Sequence, residues 1–215
     1  MFWTAILQVA VVALAAPTQH EKADCSPLEV VIARGTTEPQ GYGTVGGGTK
    51  FVNAVQKAIP DATAYDVKYP AAPGAESQAA GVQDTLKYFE TKPKACPKQL
   101  YVLSGFSQGG LVMHRAADKL DKTLLKTRVV AAVTFGDHGQ QATKEKPIYN
   151  SPFGPVPLWP AEIDGRIKFN CAVGDPACSP GGTNFSQHLV YGAGDFVEQS
   201  TKFVQEQYEK LKTSG

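Results

Sequence analysis

The sequence predicts an α/β fold, a three-layer α/β/α sandwich on a mostly parallel sheet of about five strands. Three observations carry that expectation. Short runs such as Val129 to Phe135 (VVAAVTF) are apolar almost throughout, as strands are when both faces of their sheet are covered. Segments with helical apolar spacing separate those runs, which suits crossover connections between parallel strands. The 215 residues are 42% hydrophobic and 19% charged, with 21 Gly and 15 Pro, which favours a compact chain with tight loops over a coiled coil or a disordered one. One domain, residues 25–215, is expected from that length.

In chain order, Leu28 to Ala33 (LEVVIA) reads as a buried strand stopped by Gly35. A Gly-rich loop runs to Gly48, and Phe51, Val52, Val55, Ala58 and Ile59 then follow helical spacing. Thr63 to Val67 is a second strand. Ala79, Val82, Leu86 and Phe89 mark a helix expected to end before Pro93. Gln99 to Ser104 is a third strand, and Leu111, Val112 and Ala116 lie on the helix after it. Val129 to Phe135 is the fourth and Arg166 to Cys171 a shorter fifth. Phe196, Ser200, Phe203, Val204, Gln207, Tyr208 and Leu211 form one stripe of the last helix. The Pro- and aromatic-rich run Pro147 to Pro160 stands outside the alternation, either as a functional loop or as a surface excursion pinned by its prolines.

Charge excludes one class of partner. Twenty-one Lys and Arg face 20 Asp and Glu, a net charge of +1, with no basic stripe, so no nucleic-acid partner is expected. Ile6 to Ala16 is apolar except for Gln8, too short for a bilayer span but suited to a secretory signal cut near Ala13-Leu14-Ala15. No Lys or Arg precedes it, and a buried N-terminal helix is the competing reading. Residues 1–15 are therefore expected to be a signal peptide and 16–24 a short tail. No second long apolar stretch follows, so the mature protein is expected to be secreted and extracellular, with no membrane span.

Cysteine usage fits export. Cys25, Cys96, Cys171 and Cys178 permit three pairings; Cys171–Cys178 is favoured by closeness in sequence, leaving Cys25–Cys96. A zinc site competes poorly, because the spacings are unusual for ligands and no His sits near Cys25 or Cys96.

The chemistry is concentrated after the third strand. Gly105-Phe106-Ser107-Gln108-Gly109 matches G-x-S-x-G between QLYVLS and LVMHRAADKL, the strand–turn–helix setting in which a serine hydroxyl is lifted clear of a sheet. The helix start behind it favours negative charge forming nearby. A serine nucleophile needs a base and an acid to orient it. His20 lies in the expected tail, and His114 is seven residues along the same helix as Ser107 and cannot reach back. In hydrolases of this architecture the order is Ser, acid, His, which selects His188 with Asp175, inside the Cys171–Cys178 loop. His138 with Asp137 is the fallback.

With these residues in view, the sequence resembles the cutinase family of fungal serine esterases from about Cys25 to its end. The resemblance rests on Ala33-Arg34-Gly35-Thr36-Thr37-Glu38, the Ser107 elbow, Cys171-Ala172-Val173-Gly174-Asp175-Pro176-Ala177-Cys178 and His188-Leu189, in family order and spacing. It implies a small lidless α/β-hydrolase with Ser107, Asp175 and His188 as catalytic triad. It implies an oxyanion hole of the Gln108 N–H and Thr36, through its N–H and hydroxyl, each donor contributing a few kcal/mol. The family has Gly-Asp-Pro after the fourth strand; here Gly136-Asp137-His138 leaves His138 without a family role.

The function expected from the resemblance is hydrolysis of carboxylic esters through an acyl-enzyme, by a monomer, with no metal or other cofactor. Activity is expected to rise with pH as the histidine base loses its proton. The substrate implied is cutin polyester with short and medium acyl esters; acetylxylan esterase is the alternative, although that branch usually carries more disulfides. A catalytically silent, secreted surface-binding protein is the alternative of another class. Phe153, Leu158 and Trp159 are candidates for an apolar lip. Asn184-Phe185-Ser186 is an N-glycosylation pattern four residues before His188, expected to be mostly vacant because a glycan would crowd the cleft.

Overall fold

The computed structural model describes residues 25–213. Strand β1 (Leu28–Ala33) is buried along its whole length and is followed by helix α1 (Gly48–Ala58), strand β2 (Thr63–Asp66) and helix α2 (Ala75–Ala95). Strand β3 (Leu100–Phe106) leads directly into helix α3 (Gln108–Ala117), and a short helix α4 (Lys122–Arg128) precedes strand β4 (Val129–Phe135). Strands β5 (Ile148–Ser151) and β6 (Gly154–Pro157) form an antiparallel hairpin. Strand β7 (Ile167–Asn170) and helix α5 (Phe196–Thr213) complete the chain.

The main sheet has the order β2-β1-β3-β4-β7, and every pairing is parallel. Successive strand residues point to opposite faces, and the core divides accordingly. Val31, Ala33 and Leu103 pack with Val112, Met113 and Phe89 from α3 and α2. Val30, Ile32 and Val102 pack with Phe51, Val52 and Val55 of α1 and Val204 and Tyr208 of α5. Burial on both faces explains the apolar strands. The parallel pairing places the carboxyl ends of these five strands on one edge, where open parallel sheets form their crevice.

Local structure departs from expectation at four places. Helix α2 continues through Pro93 to Ala95. A proline that late removes one amide from the final turn, and the turn is held from outside: Arg128 donates to the carbonyls of Pro93 (3.0 Å) and Cys96. Helix α4 lacks a long apolar stripe; its sequence signal is the Asp121 cap, whose carboxylate accepts from the Leu124 N–H at 2.8 Å. The 147–160 run, expected as a loop, carries a hairpin with its own short sheet. Within it Trp159 is 2% exposed and belongs to the core, so it is no part of an apolar lip, whereas Phe153 is half exposed. The expected signal peptide and tail lie outside the described residues, and among those no helix is long and apolar enough to cross a membrane.

Both expected disulfides are closed, Cys25–Cys96 and Cys171–Cys178, which removes the zinc reading for these cysteines. The first joins residues 71 apart and ties the start of β1 to the end of α2. Loop-closure entropy assigns it about 4 kcal/mol and the short bridge about 2.5 kcal/mol. Cys25→Ser/Cys96→Ser is accordingly expected to lower unfolding free energy by about 4 kcal/mol in urea titration, more than Cys171→Ser/Cys178→Ser does. The reverse order would show that the short loop carries native-state interactions beyond its closure.

Candidate active site

Ser107 sits in the one-residue turn between β3 and α3, with φ 51° and ψ −113°. A non-glycine residue there is strained, and the turn is fixed by the Ser107 N–H donating to Phe135 O at 2.9 Å and the Gly110 N–H donating to Ser107 O at 2.9 Å. The flanking glycines are required by contact. A Cβ at Gly109 would stand 1.9 Å from Ala33 O, and one at Gly105 would stand 2.4 Å from the Gly109 backbone. The G-x-S-x-G pattern is thus what lets the start of α3 lie against both β3 and β1.

Asp175 and His188 are thirteen residues apart and meet beyond the end of β7. His188, on a 3-10 turn (Phe185–Leu189), has Nδ1 2.9 Å from both carboxylate oxygens of Asp175. Its ring is flanked by Phe106 and Phe185, at centroid distances of 4.9 and 5.6 Å. Asp175 is wholly buried. Burial alone would raise its pKa; hydrogen bonds from His188, the Tyr191 hydroxyl and the Ala177 N–H (2.7 Å) outweigh that and hold the carboxyl below its ordinary range. Because the carboxylate can only accept, Nδ1 carries a proton, and neutral His188 keeps its lone pair on Nε2.

Ser107 and His188 line one cleft of about 660 Å³ at the carboxyl edge of the sheet. Thr36 lines the same cleft, on a loop set by a buried acid. The Glu38 carboxylate accepts from the N–H groups of Gly35 (2.6 Å), Val45 (2.7 Å) and Gly46 (3.1 Å). The Thr37 N–H donates to Ala71 O at 2.8 Å. Gln108, the first residue of α3, is anchored by its side-chain amide to Ala72 O at 2.9 Å. Val45, Phe153, Phe185 and Leu189 supply large, partly exposed apolar surface around the opening.

The fallback pair is not assembled. Asp137 Oδ2 lies 2.9 Å from Nε2 of His114, whose Nδ1 is 2.7 Å from Pro157 O, and both side chains are buried. His114, unable to reach Ser107, instead fastens α3 to the turn after β4 and to the hairpin. Sequence reading missed this pair, and also the buttressing roles of Glu38 and Tyr191. The acid ending the ARGTTE segment was a signal for Glu38; nothing local marks Tyr191, which reaches Asp175 only through tertiary packing.

Asp175 and Asp137 are both held below the ordinary carboxylate range, Asp137 against the cost of burial by His114, the Gly139 N–H and Thr134. A carboxyl whose folded pKa is depressed contributes stability that is complete above its unfolded pKa and lost as pH falls through the folded value. Thermal stability is expected to hold near neutrality and to fall on acidification from the ordinary carboxylate range downward. Tyr191→Phe, which removes one donor to Asp175, is expected to move that fall to higher pH. A pH–Tm curve identical in the two proteins would contradict it.

A parallel sheet crossed by helices on both faces, with a serine elbow and an acid–histidine pair at its carboxyl edge, defines an α/β-hydrolase. A family model described as Cutinase matches residues 24–208. Cutinase 4 of Emericella nidulans is 37% identical over 175 residues, covering 80% of this chain and 68% of that protein. The cutinase of Monilinia fructicola is 34% identical over 197 residues, covering 87% of this chain and 90% of its own. Among solved structures, an iodinated acetyl xylan esterase superposes with a TM-score of 0.68 at 27% identity, covering 86% of this chain and 99% of that one. The chain belongs to the cutinase family, and with it to the carboxylic ester hydrolases.

Proposed function

We propose that this protein is a secreted serine esterase in which Ser107 attacks the ester carbonyl, His188 takes and returns the proton, and Asp175 orients the imidazole. The observation that carries the reading is that His188, paired with the buried Asp175, lines the same cleft as the strained Ser107 turn. The Ser107 proton passes to Nε2 as Oγ bonds to the carbonyl carbon, and Asp175 stabilises the imidazolium. The N–H groups of Thr36 and Gln108, with the Thr36 hydroxyl, receive the oxyanion. Collapse breaks the C–O bond, and Nε2 returns its proton to the departing alcohol. Water then adds to the acyl-enzyme, giving its proton to His188, and the acid is released as Ser107 is reprotonated. No step calls on a metal or organic cofactor.

For the substrate, the largely apolar cleft walls and the relatives named cutinases support a cutin-like polyester of hydroxy fatty acids and shorter acyl esters. The likeness to an acetyl xylan esterase supports acetylated xylan as the second reading. Export is supported by the N-terminal apolar run and by two disulfides, which persist in oxidising compartments. Fatty-acid release from cutin is compared with acetate release from acetylated xylan, using Ser107→Ala as the blank. Cutin release dominating supports the first reading; acetate dominating replaces it with the second. A silent surface binder would do neither and would leave a serine-directed phosphonate unreacted.

Asn184 is exposed, with its side chain accepting from the Ser186 N–H at 3.1 Å, on the turn that presents His188. A glycan there would overhang the cleft, and the expressed protein is expected to show the unmodified mass at this site. Full occupancy in an active enzyme would contradict the placement of the substrate.

A further inference from the structure

The turn after β4 places His138 in the cleft, where the mechanism gives it nothing to do. His138 is 9% exposed and lines the same cavity as Ser107 and His188, and its ring rests edge-on against Phe153 with centroids 5.2 Å apart. Its Nδ1 is sealed from solvent with no hydrogen-bond partner among the described residues. The neighbouring acid cannot supply one, since Asp137 is committed to His114 and the Gly139 N–H. A buried N–H without an acceptor is costlier than a buried lone pair, so the proton belongs on Nε2. Burial also keeps the ring neutral, pushing its pKa below the ordinary histidine range; Asp137 and Asp175 oppose that shift and His188 adds to it.

Apart from Thr36, Ser107 and His188, which the proposed reaction uses, the other polar side chains on the cleft wall are spent. Glu38 is filled by three backbone N–H groups, and the Thr37 hydroxyl donates to Thr36 O at 2.6 Å. Pro39, Val45, Pro152, Phe153 and Pro176 offer no side-chain donor. A neutral imidazole among apolar walls is the arrangement by which binding sites read a single polar atom.

We propose that His138 is a specificity-determining residue whose Nε2–H donates to an oxygen that the substrate carries in addition to the scissile ester, so that the cleft selects oxygen-bearing esters over plain alkyl esters. This rests on the Ser107 reading of the site. The shared chemistry is an acceptor oxygen near the reacting carbonyl, and it has two sources: a hydroxyl on the acyl chain, as in polyesters of hydroxy acids, or a ring oxygen in the alcohol, as in acetylated sugars.

The test uses the full mature protein, two matched ester pairs and pH-stat titration. Methyl 3-hydroxybutyrate is compared with methyl butyrate, and tetrahydropyran-3-yl acetate with cyclohexyl acetate. The wild type is expected to favour the oxygen-bearing member of one pair in kcat/KM, and that pair identifies the source. In His138→Leu the selectivity ratio for that pair is expected to fall about fivefold to tenfold, one hydrogen bond's contribution. His138→Gln, whose amide nitrogen can occupy the Nε2 position, is expected to recover part of it. No preference in the wild type, or a ratio unchanged in His138→Leu, overturns the inference. Phosphonate labelling of Ser107 in each protein separates the two failures: labelling with an unchanged ratio overturns the role of His138 alone, and absence of labelling in the wild type overturns the nucleophile and this inference together.

Discussion

Ser107→Ala is expected to lower kcat for ester hydrolysis about 10⁶-fold, the loss seen when the nucleophile of a serine hydrolase is removed and only binding and oxyanion donors remain. Folding is not expected to suffer. Alanine at φ 51° meets the same backbone strain as serine, and both backbone hydrogen bonds of the turn are kept. The far-UV spectrum and Tm should match the wild type while phosphonate labelling disappears. Residual kcat within tenfold of the wild type, measured on a short acyl ester, would exclude Ser107 as nucleophile.

Asp175→Asn carries the second largest effect, a fall in kcat of about 10⁴-fold at neutral pH with little change in KM. The reason lies in the partners. One carboxylate oxygen accepts from the Ala177 N–H, and the other accepts from Tyr191, with Nδ1 of His188 2.9 Å from both. Asparagine has a single acceptor oxygen. Directed to the Ala177 N–H, it leaves its NH₂ facing His188, which must then accept on Nδ1 and carry its proton on Nε2, where no base is left for Ser107. The amide also lacks the charge that stabilises the imidazolium. Asp137→Asn is the control, because its partner is His114, away from the reacting groups. If Asp137→Asn cost more kcat than Asp175→Asn, the acid of the site would be wrongly assigned.

Much of the fold could be read from local pattern. Strand β4 is apolar because both faces are covered, and α5 shows its inward stripe at 3.6-residue spacing, with Ser200, Val204, Gln207 and Tyr208 all buried. The elements that escaped lack such a signature. Helix α4 is seven residues long, the β5–β6 hairpin is rich in proline, and the end of α2 is held by an arginine from another element. Trp159 misleads for the same reason. An aromatic residue in a proline-rich run looks like surface, yet its ring lies against His114, with centroids 4.3 Å apart, in the core.

Local periodicity, motif and chain order were enough to expect the α/β class, the sharp turn at Ser107, a meeting of Asp175 with His188, and both cysteine pairings. Tertiary structure alone decided that His114 would hold Asp137, that Tyr191 and Glu38 would buttress the cleft, and that His138 would face it with a sealed Nδ1. These are encounters between residues remote in the chain, set by how helices and loops pack around a finished sheet. No local spacing encodes them, because burial and hydrogen-bond satisfaction exist only once the layers have closed.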